Sequence, residues 1–252
     1  MLRVIDISKT FTYLVEPYRS LKQVVLDALK GRSPQVTQLQ VLKNLSFEVK
    51  SGEIVGLIGS NGAGKSTLLK IIAGIIYPDA GSIVVKGSLA PLIELGAGFH
   101  PEFSGLENIY LNGLVLGLKK SEITERLKWI TEFSELGDFI NRPIKCYSSG
   151  MQMRLGFSIA ASLEPDVFLI DESLAVGDAK FVEKCLKRIE ELKSKGTSFL
   201  IASHDLGALE RIADRCIWLK DGIIFNEGEP KKVISNYLDY LNVEKPRDWE
   251  RD

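Results

Sequence analysis

The sequence predicts an α/β fold with a mostly parallel core sheet, an antiparallel β subdomain and an inserted α-helical subdomain. Two observations carry that prediction. Three short apolar runs, Ile54-Val55-Gly56-Leu57-Ile58, Val167-Phe168-Leu169-Ile170 and Phe199-Leu200-Ile201-Ala202, read as strands buried on both faces, as in a parallel sheet. Between the first and second of them, residues 107–163 turn helical in character.

The elements follow in order. Residues 2–7 read as a first strand and Leu45-Ser46-Phe47-Glu48-Val49 as a second. Residues 12–40 between them read as an insertion. Within it, residues 20–30 have helical spacing: Ser20 is a candidate cap, Leu21, Val24, Val25, Ala28 and Leu29 form an apolar face, and Gly31 stops it. Arg19, Lys22, Lys30 and Arg32 give this segment a basic bias, which suits either a solvated helix or a contact with a membrane partner or anionic head groups.

The third strand runs into Gly59-Ser60-Asn61-Gly62-Ala63-Gly64-Lys65-Ser66-Thr67, which fits G-x-x-x-x-G-K-[ST]. A phosphate-binding loop needs several backbone N–H groups aimed at one anion. Gly59, Gly62 and Gly64 permit the bending, because a Cβ would block positive φ and close approach. Lys65 supplies a charge for the β- and γ-phosphates, and Ser66 a hydroxyl for a magnesium ion bridging them. Leu68, Leu69, Ile71 and Ile72 follow at helical density, so the helix dipole meets the same anion.

Residues 77–81 have turn chemistry, and 83–85 and 89–93 read as short strands. In the helical stretch, Ser121 is a candidate cap for a helix whose Ile123, Leu127, Ile130 and Phe133 fall near one face. Residues 181–193 read as a charged-faced helix. Asp221-Gly222 between apolar runs predicts a hairpin, 230–240 a last helix, and 241–252 a polar tail.

Composition narrows the class. The 252 residues suffice for a sizeable core, and 45% are hydrophobic, as in ordinary soluble proteins. The net charge is −1 with no Lys/Arg block, so nucleic acid is not the expected partner. Cys146, Cys185 and Cys216 are scattered and odd in number, which suits free thiols in a reducing compartment. The N-terminus lacks the extended apolar run of a signal peptide, and no stretch is long enough to span a bilayer. Any membrane role is expected to come through a partner.

Away from the loop, an apolar strand delivering Asp171-Glu172 supplies the second half of a nucleoside triphosphatase. Asp171 suits magnesium, and Glu172 suits orienting or deprotonating the attacking water. His204 ends the next strand, on the sheet edge where open α/β folds bind ligands. His100 has no assignable partner and reads as structural. Ser148 and Gly150, before a helix running to Leu163, form a second candidate anion site.

These elements, in this order, resemble the ATP-binding subunits of ABC transporters over nearly the whole chain. Residues 59–67 look like Walker A and 167–171 like Walker B, with Glu172 as the catalytic glutamate and His204 as the switch histidine. Residues 147–151 occupy the place of the L-S-G-G-Q signature, and Asp178 matches the last residue of the D-loop. Phe11 falls where the family stacks an aromatic on adenine, with Tyr13 as the alternative. The resemblance implies ATP and Mg2+ as cofactors, and a head-to-tail homodimer in which each signature closes the other subunit's ATP site.

The departures are informative. The signature reads Tyr147-Ser148-Ser149-Gly150-Met151: Ser149 replaces a glycine and Met151 the glutamine. The family's Q-loop glutamine is absent, and Glu94, an alternative oxygen ligand for the metal, stands in its place beside Leu95. With Glu94-Leu95-Gly96-Ala97-Gly98-Phe99, Glu107-Asn108-Ile109-Tyr110 and Ala175-Val176-Gly177-Asp178, these changes resemble the ATPases of O-antigen, other polysaccharide and teichoic-acid exporters. That implies a polytopic permease partner, a lipid-linked polysaccharide reached through it, and a peripheral place on the cytoplasmic face of the inner membrane. Some members carry a C-terminal carbohydrate-binding domain, which is not expected here. The competing expectation is an ABC ATPase serving another substrate. A soluble ABC protein of translation or repair fits less well, because neither a second ATPase domain nor a coiled-coil insertion is seen. A P-loop GTPase would need an N-K-x-D motif, which is missing.

Overall fold

The computed structural model describes residues 1–14, 36–92, 98–171 and 178–244. Two sheets organise it. The larger has strand order β5 (Leu89–Leu92), β6 (Val167–Asp171), β7 (Ser198–Ala202), β3 (Ile54–Ile58), β8 (Arg215–Lys220) and β9 (Ile223–Gly228). Its first five members are parallel, and β9 closes the edge antiparallel to β8. The smaller sheet is antiparallel, in the order β2 (Val36–Val49), β1 (Leu2–Leu14), β4 (Ala80–Val85).

The two-residue side-chain period sorts the core strands into two layers. Val55 and Leu57, Val167 and Leu169, Leu200, and Ile217 and Leu219 face the antiparallel sheet and the loop helix α1 (Lys65–Ile72). Their alternates, Ile54 and Ile58, Phe168 and Ile170, Phe199 and Ile201, and Cys216 and Trp218, face a helical layer. Sequence periodicity could not show alternation there, because β3, β6 and β7 are buried on both faces and apolar residues fill both.

That helical layer holds α4 (Ser149–Ala161), α5 (Ala179–Ser194), α6 (Leu206–Ile212) and α7 (Pro230–Glu244). A third core joins α4 to α2 (Gly105–Val115) and α3 (Lys120–Ser134) through Ile109, Ile123, Ile130, Leu155 and Ile159. Among the helices of the described residues, none is long and apolar enough to cross a membrane.

Several boundaries differ from the sequence expectation. β1 continues past Ile7 to Leu14 and β2 begins at Val36, so residues 12–14 and 36–40 of the expected insertion are paired strand. Thr10↔Gln40 and Thr12↔Gln38 give this extension a polar face, which hides the strand from hydrophobic patterning. The expected helix at residues 20–30 lies outside the described residues. Ser121 does not cap α3. Lys119 stands at the N-cap, and its backbone N–H donates to Glu122 Oε2 at 2.7 Å. α7 continues to Glu244, four residues past Tyr240. The Asp221-Gly222 turn has φ of 50° and 79°, the two positive values that a tight hairpin needs.

Candidate functional site

The C-terminal ends of β3, β6 and β7 share one edge of the parallel sheet. Leu57 pairs with Ala202, and Ala202 with Asp171, so the three lie in line across the sheet. Asp171 is therefore two strand spacings from β3, about 10 Å. This is where open α/β sheets place ligands.

The loop after β3 is built as the glycines require. Gly62 (φ 82°) and Gly64 (φ 104°) occupy the left-handed region, and Gly64 caps α1. A Cβ on Gly64 would come 2.6 Å from Leu42 Cδ2 and 3.1 Å from the Val41 carbonyl oxygen. A Cβ on Gly59 would run into the Leu219 carbonyl. β2 and β8 thus press against the loop from two sides. Ser60, Asn61 and Gly62 are exposed at its tip, Ala63 is buried, and Ser66 and Thr67 are half-buried at the helix start.

Lys65 is only 5% exposed. Its Nζ donates to the Gly59 carbonyl at 2.8 Å and to the Ser60 carbonyl at 3.2 Å. The ammonium is thereby folded over the loop it serves. Asp171, 8% exposed, ends β6, and His204 follows β7 as an exposed residue. The His204 backbone is held by its neighbours: Asp205 N donates to Ser203 Oγ at 3.0 Å, and Leu206 N to the His204 carbonyl at 3.1 Å. Asp205 then caps α6 through the Ala208 N–H. Ser66 and Asp171 are hard oxygen donors, a set that suits Mg2+. Glu172 and Glu94 lie outside the described residues.

Phe11 and Tyr13 stand two apart on β1, 37% and 52% exposed. Phe11 pairs with Leu39, on the strand whose Val41 and Leu42 touch the loop. The Lys9 ammonium lies 5.5 Å from the Phe11 ring centroid and 2.8 Å from Asp79 Oδ1. Thr10 N also donates to Asp79, and these bonds to Lys9 and Thr10 hold that carboxyl below its ordinary range. The aromatic end of the β1–β2 pair is thus tethered to the turn before β4.

Ser148, Ser149 and Gly150 are on the helical layer instead. Ser148 caps α4, its Oγ accepting the Met151 N–H at 3.2 Å. The preceding Tyr147 is anchored by its hydroxyl, which donates to the Phe139 carbonyl at 2.6 Å, and burial pushes its pKa up to about 12. Asp178 caps α5 and pairs with Arg154 of α4. His100 is structural in surroundings: its ring stacks on Phe103 at 4.1 Å.

So one chain brings together the loop, Asp171 and His204, while Ser148–Gly150 open a different helix of the helical layer. Arg154, one turn after Gly150, pairs with Asp178 across α4 and α5, a contact that no local sequence pattern marks. A family model described as "ABC transporter" matches residues 42–175.

The chain belongs to the ABC transporter family.

As an ABC ATPase it is a P-loop NTPase that binds and hydrolyses ATP. It is 48% identical over 209 residues to the O-antigen export system ATP-binding protein RfbB of Klebsiella pneumoniae, covering 83% of each chain. It is 40% identical to the teichoic acids export ATP-binding protein TagH of Listeria innocua, over 98% of this chain and 75% of that one. A solved ATP binding subunit of an ABC transporter superposes with a TM-score of 0.74 at 27% identity, covering 96% of this chain and 98% of that one.

Proposed function

We propose that this ABC ATPase powers export of a lipid-linked polysaccharide, as a homodimer bound to a polytopic permease at the cytoplasmic face of the plasma membrane. The observation that carries the reading is the convergence of the phosphate loop, Asp171 and His204 on one sheet edge, in a chain similar to O-antigen and teichoic-acid export subunits.

In this reading the loop N–H groups and Lys65 hold the triphosphate, and Phe11, or else Tyr13, stacks on adenine. Ser66 and Asp171 would hold Mg2+, with Glu94 as a further oxygen ligand; bound there, the ion neutralises charge on the phosphates. Glu172 accepts a proton from the attacking water as the terminal P–O bond breaks, and His204 steadies the water and the γ-phosphate from the neighbouring strand. Ser148, Ser149 and Gly150 act on the partner subunit's nucleotide, through the first-turn N–H groups that a helix leaves unpaired.

Glu172→Gln tests the catalytic assignment. The amide is close in size but is not a base, and turnover should fall by about 10²–10⁴-fold. With MgATP the variant should run as a dimer on size exclusion. Wild-type turnover in this variant would remove Glu172 from the mechanism. In cells, the same substitution should leave a lipid-linked glycan on the cytoplasmic side, and the chemistry of that glycan separates O-antigen-type from teichoic-acid cargo.

A further inference from the structure

The β1–β2 pair changes character at Ser8. Up to that residue β1 is flanked by β2 on one side and β4 on the other, and the pairing with β4 ends at Ser8↔Ala80. From Thr10↔Gln40 to Leu14↔Val36 its only strand neighbour among the described residues is β2. A two-stranded ribbon is marginally stable by itself. The pairing is also irregular at the junction. The register with β2 shifts between Val4 and Ile7, between Ile7 and Lys9, and between Lys9 and Thr10. A strand bends where its ladder is interrupted in this way. The outer ribbon is thus an arm on a bent joint, and this arm carries Phe11 and Tyr13.

One carboxylate clips the joint. Asp79 stands in the turn before β4; its Oδ1 accepts from the Lys9 ammonium at 2.8 Å, and its Oδ2 accepts the Thr10 N–H at 2.6 Å. Its own N–H donates to the Ser8 carbonyl at 2.9 Å. Ser8, Lys9 and Thr10 are therefore all tied to one residue outside the strand pair. The turn fits closely on its other side, where a Cβ on Gly81 would come 2.4 Å from the Ile5 carbonyl oxygen. The Lys9 side chain is 15% exposed, and its ammonium lies over the Phe11 ring, 5.5 Å from the centroid. An ion pair at the surface adds little to global stability. A clip at a bent joint does something else: it fixes the direction of everything beyond the joint.

The arm points away from the phosphate loop's own walls. Phe11 pairs with Leu39, and the next residues of β2, Val41 and Leu42, crowd Gly64. Tyr13 pairs with Thr37, two positions further out, about 7 Å along the strand. A swing at Lys9 and Thr10 would move both rings relative to the loop, while Gly59 stays against Leu219 and Gly64 against Leu42.

We propose that Lys9 and Asp79 are positioning residues for recognition of the nucleotide base: their clip sets the arm, and the aromatic ring on it, at the distance from the phosphate loop that one nucleotide spans. The inference rests on the reading above in which Phe11, or else Tyr13, stacks on adenine. The clip acts on the base half of the ligand. The phosphate half is held by the loop and Lys65, which the clip does not touch.

The test compares ATP with inorganic triphosphate, which lacks base and ribose, by isothermal titration calorimetry on the full chain. Asp79→Ala should bind ATP about fivefold more weakly and Lys9→Met about threefold, a part of what one base–aromatic stack contributes. Both should bind inorganic triphosphate as the wild type does. In steady-state turnover KM should rise with kcat unchanged, the mark of lost uniform binding. Lys9→Arg keeps a cation for Asp79 and for the Phe11 ring, and should restore wild-type ATP affinity. The double variant Lys9→Met/Asp79→Ala should bind ATP no more weakly than Asp79→Ala, as expected of partners in one interaction. Equal losses for ATP and triphosphate would put the defect in the loop and overturn the proposal. So would unchanged ATP affinity in a folded Asp79→Ala. If Asp79→Ala does not fold, Asp79→Asn, which keeps an oxygen for Thr10 and loses the charge, decides by the same comparison. Phe11→Ala and Tyr13→Ala separate the clip from the stacking reading. If neither changes the ratio of ATP to triphosphate affinity, the stacking reading and the clip fall together. If one of them lowers that ratio and the clip variants do not, only the clip falls.

Discussion

The ammonium of Lys65 is held by loop carbonyls even before any nucleotide is considered, through its bonds to Gly59 and Ser60. The cation is therefore placed in advance, and its loss removes charge without rearranging a helix face. Lys65→Ala should abolish nucleotide-dependent stabilisation. At a hundredfold excess over Kd, ligand binding adds about 2.7 kcal/mol to the wild type, worth about 5–10 °C in Tm for a chain of this size. An unchanged shift in differential scanning fluorimetry would count against the loop. Tyr147 gives a second expectation. Burial raises the phenol's pKa in the folded state to about 12, so its neutral form favours folding. That contribution is complete below the unfolded phenol's value near 10 and is lost as pH rises from there towards about 12. Urea midpoints should fall over that window, and Tyr147→Phe should flatten the fall; an equally steep fall in the variant would exclude Tyr147 as its source. The loop itself was legible in the sequence because only glycine tolerates its backbone, and the structure shows why: Val41, Leu42 and Leu219 crowd it. The Arg154–Asp178 pair was not legible, because it forms only where α4 meets the start of α5.

At the scale of elements, the segment before α2 is organised by one side chain. Asn108 is fully buried, and its Nδ2 donates to the carbonyls of His100, Phe103 and Ser104 at 3.1, 3.1 and 2.9 Å. Its Oδ1 accepts the His100 N–H at 2.7 Å. Ser104 and Glu107 add a reciprocal capping box at the same helix start. The three carbonyls keep the backbone donors Phe103 N, Ile144 N and Asn108 N, but Asn108→Ala takes the acceptor from the His100 N–H and unties the segment, and should cost about 1–3 kcal/mol, measurable as a lowered urea midpoint. A loss under about 1 kcal/mol would mean that water replaces the amide without penalty. Core strands and the Asp221-Gly222 hairpin were readable from apolar runs and turn residues. The outer parts of β1 and β2 were not. Their pairing depends on one strand finding the other across the chain, and no local pattern records that.

For the whole molecule, net charge and composition say little about function, and the fold alone says nothing about cargo. The sheet order was not legible either: β3 lies between β7 and β8, a placement set by long-range packing. The proposed permease leads to a simple expectation. Purified in mild detergent from its own cells, the tagged chain should bring down a polytopic membrane protein in stoichiometric amount. Recovery of the chain alone, with full ATPase activity, would favour a soluble role. The two-layer core also predicts that losses at the nucleotide edge and losses in α2–α4 act separately. Lys65→Ala and Asn108→Ala should combine additively in stability to within about 0.5 kcal/mol.

The position of β3 has a consequence for synthesis. The strand that carries the phosphate loop is translated early, yet both of its sheet neighbours come from beyond residue 197. At about 5–20 residues per second, roughly 140 codons separate its birth from the arrival of β7, a wait of about 7–28 s. Throughout that interval a fully apolar strand leaves the ribosome without its sheet neighbours, and the loop has its β2 wall, Val41 and Leu42, but not Leu219 of β8. Nascent chains arrested before β8 should therefore be clients of chaperones and blind to ATP, whereas chains released after α7 should acquire both protection and nucleotide in a single step.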